Sequence, residues 1–126
     1  LVIKQLKKIK IKNYFLLDVE FPFIYKSSRK GFKNTSIRFS EEESIDTVKK
    51  YINRINWVWI DTFSKLPINK NNIKVLNKFS KCLVSPDRWN RPQDIKKYIK
   101  TMKQKKFSIN CVMTSENNVE IWEKNY

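Results

Sequence analysis

The sequence predicts an α/β fold, a parallel sheet of about five βα units curved into part of a (β/α) barrel that fills residues 1–126 as a single domain. Two observations predict it. Short apolar runs alternate along the chain with amphipathic stretches of helical period. The runs also end in polar or charged residues: Asp18 and Glu20 after 14–17, Arg38 and Ser40 after 35–37, Asp61 after 57–60, Ser85 after 82–84. In a barrel of alternating strands and helices, polar groups at strand C-termini line the working face.

The elements follow in order. Val2, Leu6 and Ile9 at helical spacing open the chain with an amphipathic helix carrying lysines outside. Residues 14–19 read as a buried strand, and Pro22, Ser27, Ser28 and the one glycine, Gly31, as the loop after it. A second strand covers 35–39. Ser44 then caps a helix whose inner face is Ile45, Val48, Tyr51 and Ile52, with Asp46 in the first turn where the helix dipole favours it. The third strand, 57–62, is apolar on both faces, as a parallel strand covered by helices is. Its Trp57 and Trp59 share one face and are expected to pack between sheet and helices.

Asn71 and Asn72 open a short helix with Val75, Leu76 and Phe79 inward, and 81–85 is the fourth strand. Pro92 suits the first turn of a helix striped by Ile95, Tyr98, Ile99 and Met102, with Lys97, Lys100 and Lys103 solvated. Residues 107–114 form the fifth strand, and Val119 and Trp122 belong to a terminal helix.

Forty per cent hydrophobic and 13% aromatic residues suffice for a packed core and exclude a disordered chain. The net charge of +15 invites an anionic partner, but 22 of the 27 basic residues are lysines. With 15 Ile and 13 Asn beside them, this is the bias of an A+T-rich coding sequence, and phosphate-reading surfaces use arginine forks as well. Nucleic acid is therefore the disfavoured partner, to be revived if Lys96, Lys97, Lys100, Lys103, Lys105 and Lys106 share one face with aromatics beside it. Cys82 and Cys111 lie in apolar runs and read as small buried hydrophobes in a reducing compartment. No apolar run reaches the ~20 residues that cross a bilayer, and no signal peptide is recognised, so a cytoplasmic location is expected.

The segments Asn13–Asp18, Ile37–Glu43, Trp57–Phe63, Leu83–Asp87 and Cys111–Ser115 occur in the order seen in the C-terminal half of glycerophosphodiester-phosphodiesterase-like proteins. The chain resembles that family, within the phosphatidylinositol-phospholipase-C-like superfamily, over nearly all its length. The resemblance implies a TIM-type barrel that cleaves phosphodiesters with Mg²⁺ or Ca²⁺, two histidines acting as acid and base and carboxylates holding the metal. Those residues belong to the family's N-terminal half: a His-Arg-Gly motif, a Glu-x-Asp pair and later His and Glu positions. None has a counterpart here, and the chain has no histidine. It is thus expected to be the C-terminal portion of a phosphodiesterase-like hydrolase, inactive alone, with the phosphodiester substrate and the metal belonging to the full-length protein and an upstream half as its partner.

No catalytic residue and no metal ligand can be assigned. Asp18, Glu20, Glu41, Glu43 and Asp61 offer hard oxygens suited to Mg²⁺ or Ca²⁺, Arg38 and Arg88 could contact a phosphate, and Ser85 completes the strand-end set. Each carboxylate reads equally as an ion pair or helix cap, and Glu41–Glu43 as a solvated acidic turn. With one glycine, phosphate-cradling glycine loops are excluded. A basic nucleic-acid-binding module and a structural or partner-binding fragment with exposed apolar surface stand as the alternatives.

Overall fold

The computed structural model describes residues 2–126. Four strands, β1 (Ser36–Phe39), β2 (Trp57–Ile60), β3 (Ser80–Val84) and β4 (Cys111–Met113), form one sheet in the order β1-β2-β3-β4. Every neighbouring pair is parallel, with Ser36 opposite Trp57, Trp57 opposite Ser80, and Cys82 opposite Cys111. The α/β class and the parallel sheet agree with the sequence reading. The strand expected at 14–19 contributes only one parallel bridge, Leu16 to Thr35. The physical reason lies at Asp18, whose φ of 52° is left-handed and turns the chain out of the ladder. The fifth expected strand, 107–114, shortens to Cys111–Met113.

The helices are α1 (Val2–Lys8), α2 (Phe21–Arg29), α3 (Ile45–Lys49), α4 (Lys70–Leu76), α5 (Ile95–Gln104) and α6 (Val119–Asn125). The residues expected to form a loop around Pro22 and Ser27 are therefore a helix. Pro22 sits in its first turn, where a missing N–H loses nothing. Gly31, at φ 82°, ends it: its N–H reaches Ser28 O at 3.2 Å and the Phe32 N–H reaches Ser27 O at 3.0 Å, a Schellman closure. Ser44 caps α3 as expected, its Oγ accepting from the Asp46 N–H at 3.2 Å. That helix stops at Lys49, so Tyr51 and Ile52 follow it in turns. Asn69, before the expected Asn71 and Asn72, caps α4 and accepts from both their N–H groups at 2.9 Å. Pro92 opens a 3₁₀ turn that leads into α5.

The two faces of the sheet differ. Ile37, Phe39, Val58, Ile60 and Leu83 alternate onto one face and join Val48, Leu76, Ile95, Ile99, Met102 and Trp122 from the helices and turns in the main core. Trp57 and Trp59 alternate onto the other face and are absent from that core, which corrects their expected place between sheet and helices. They lie half-buried beneath Phe15, whose ring is 4.7 Å from Trp57 and 6.4 Å from Trp59 between centroids. Cys111 and Met113 on β4 are exposed, against the expectation of a buried Cys111. An edge strand of three residues has no outer neighbour to cover that side chain.

Candidate functional site

Because all four strands run the same way, the residues after β1, β2, β3 and β4 collect along one rim. Arg38 and Asp61, from neighbouring strands, meet there: Nη2 of the half-exposed Arg38 lies 3.5 Å from Oδ2 of Asp61, which is only 4% exposed. Trp89, from the turn after β3, donates its indole N–H to Asp61 Oδ1 at 2.9 Å. On the other side of Arg38, Nε lies 3.4 Å from Glu43 Oε1, and Ser40 Oγ donates to Glu43 Oε2. The guanidinium is thus bracketed by two carboxylates, and the trio carries a net negative charge. Both carboxylates balance the Arg38 charge within the protein, while the guanidinium stays half-exposed.

The remaining predicted residues divide. Asp18 and Glu20 are exposed and line, with Arg38 and Glu43, a cavity of ≈ 270 Å³ floored by Phe21, Ile24 and Ile37. Three carboxylates around one guanidinium give this cavity a net negative charge that attracts cations. Glu41 turns away, accepting the Ser64 N–H at 2.8 Å and the Ser64 hydroxyl. Burial alone would raise its carboxyl pKa, but these hydrogen bonds outweigh burial and hold it below the ordinary range. Its other oxygen is buried and makes no hydrogen bond among the described residues. Ser85 is fully buried and accepts the Trp122 indole N–H at 2.9 Å, so it serves packing. Arg88 points to solvent. Among the described residues no three His, Cys, Asp or Glu side chains converge where a metal ion would sit.

Two rim residues escaped the sequence reading. Asp87 gathers three donors from the chain after β4: Thr114 Oγ1 and the Ser115 N–H, each at 2.9 Å, and the Ser115 hydroxyl. Burial opposes its ionisation, yet these bonds, with one from Ser85, hold its pKa down at about 2. Arg91 spreads its donors over Asp94 and Tyr98, each at 2.9 Å, and the carbonyls of Thr62 and Phe63, tying the loop after β2 to the start of α5. The turn signal Ser85–Pro86–Asp87 could have marked the first. Nothing in sequence marks Arg91, whose partners lie as far as 29 residues away.

With no histidine and its carboxylates engaged or solvated, the rim can orient and attract a cation but offers no side chain that ordinarily exchanges protons near neutrality. Comparisons with family models, curated proteins and solved structures found no match to this chain.

Proposed function

We propose that the chain is part of a TIM-type (β/α) barrel of the glycerophosphodiester-phosphodiesterase kind, forming the wall of a phosphodiester site without turning substrate over by itself. The observation that carries this reading is the unbroken strand order, all parallel, with a polar rim at one end. A doubly wound sheet would reverse its order at a switch point and carry helices on both faces. Here the order runs in one sense and the apolar core, to which helices α2 to α6 contribute, lies on one face, the relation a barrel wall has to its outer helical ring. The opposite face then corresponds to the barrel interior. The acid, the base and the metal that the substrate requires come from outside residues 1–126 on this reading.

The nucleic-acid reading is the weaker one. Lys96, Lys97, Lys100 and Lys103 are exposed on α5, but that helix's one aromatic, Tyr98, is buried, so no stacking platform accompanies the lysines. Exposed aromatics do sit among bases on α2, but the Tyr25 ring is already occupied by Arg29, 3.4 Å from its centroid.

The test is a hydrolysis assay of residues 1–126 on a glycerophosphodiester with Mg²⁺ or Ca²⁺. No turnover above background is expected, and an in-frame His-Arg-Gly strand in the coding sequence upstream of residue 1 would locate the missing acid–base pair. Metal-dependent turnover abolished by Asp61→Asn would refute the silent role.

A further inference from the structure

The two cysteines stand as direct register partners on adjacent parallel strands, Cys82 of β3 opposite Cys111 of β4. Register partners project to the same face, and neighbouring strands lie about 4.8 Å apart. Their Cα atoms therefore fall within the span of roughly 4.4–6.8 Å that a disulfide bridges. Cys82 is 4% exposed, whereas Cys111 is open at the sheet edge. Cys111 is exposed on a three-residue edge strand, where a small molecule can reach its thiol. One accessible thiol with a buried thiol beside it is the arrangement of an attacking cysteine and its resolving partner.

We propose that Cys82 and Cys111 form a redox-sensitive dithiol, which a low-molecular-weight disulfide of the glutathione type converts into a cross-strand disulfide. The Cys111 thiolate attacks one sulfur of the reagent, forming a mixed disulfide and releasing one thiolate. The Cys82 thiol then loses its proton to solvent and attacks the Cys111 sulfur, expelling the second thiolate. The protein dithiol is oxidised and the reagent reduced to two thiols. The product staples the short edge strand β4 to β3. Burial pushes the Cys82 thiol upward in pKa and still does so once Cys111 is in the mixed disulfide, so the second step is the slow one.

The test is incubation of the chain with excess oxidised glutathione at mildly alkaline pH, followed by thiol titration, intact mass and peptide mapping. Titratable thiols are expected to fall from two to none, with loss of two hydrogens in mass and one linked Cys82–Cys111 peptide. The closure rate is expected to drop about tenfold per pH unit on acidification, following the Cys82 thiolate. Cys82→Ala is expected to stop at the mixed disulfide, and Cys111→Ser to leave Cys82 unreacted. A stable mixed disulfide on the unaltered chain with Cys82 still titratable, or a Cys111-linked dimer of two chains, would overturn the proposal. Neither outcome bears on the barrel reading.

Discussion

On one face of the sheet Ile37, Phe39, Val58, Ile60 and Leu83 are 2% exposed or less. On the other, Cys82 and Val84 of the inner strand β3 are buried as well, but Trp57 and Trp59 of β2 are half-buried, Arg38 and Cys111 are exposed, and Met113 is 38% exposed. Alternate residues thus meet different surroundings although the two sets in β2 are equally apolar. Near-continuous apolar strands are what a parallel sheet shows when both faces are covered. The clustered core of this chain supplies one cover; Phe15 and its neighbours supply a fraction of the other. The lesson is that apolar content reports how a strand is meant to be buried, while the fold reports which cover the chain itself provides.

The largest effect expected from this contrast comes from truncation on the covered face. Ile60→Ala, at a fully buried position, is expected to destabilise by about 3 kcal/mol through lost transfer energy and the cavity left behind. Met113→Ala on the open face is expected to change stability by less than about 1 kcal/mol. Denaturant melts of the two variants measure the difference, and equal losses would show that the open face is packed as tightly as the other.

An intermediate effect is expected at the rim. With its pKa held at about 2 against the ordinary 3.8, Asp87 stabilises the fold fully above pH 3.8, and that stability is lost as pH falls through about 2. Asp87→Asn is expected to lower stability at neutral pH by about 1–2 kcal/mol, allowing for partial solvent screening, and to flatten this part of the acid-unfolding profile.

The smallest effect tests an anomaly on the covered side. Lys81 alternates with Leu83, is 6% exposed, and bonds the Phe79 carbonyl at 3.3 Å with its Nζ 5.6 Å from the centre of the Phe107 ring. Burial depresses its pKa below the ordinary 10.5. The unfolded chain therefore binds more protons in the window just below 10.5, and stability rises with pH there. Lys81→Met is expected to be neutral or stabilising by about 1 kcal/mol at pH 7, and to abolish that alkaline rise in thermal melts.

Strands β1 to β3 were legible because each is a compact apolar run closed by a polar residue, and α5 because its stripe of Ile95, Tyr98, Ile99 and Met102 is unbroken. Helix α2 was not, because Phe21, Phe23 and Tyr25 stand exposed on it and blur the helical period. Pro22 near its start and Gly31 beyond its end are the boundary signals that mark it. At the rim, Arg38 and Asp61 come at the ends of neighbouring strands and lie 3.5 Å apart, a proximity that their strand-end positions imply. The strand-end rule could not show that Glu43 and Trp89 occupy them, because those contacts depend on how two loops fold back. The pairing of Cys82 with Cys111 was equally hidden, since register between strands is set by the crossover and not by either run.

The strand order has a kinetic consequence. Thr35 meets Leu16, Trp57 meets Ser36, Ser80 meets Trp57, and Cys111 meets Cys82, so no ladder contact closes more than about thirty residues of chain. Each strand finds its neighbour in the segment just before or after it, and the entropy of closing a loop is met in small, similar steps. A sheet of this kind grows by accretion, one crossover at a time, and a further strand can join at the β4 edge without any settled pairing having to open.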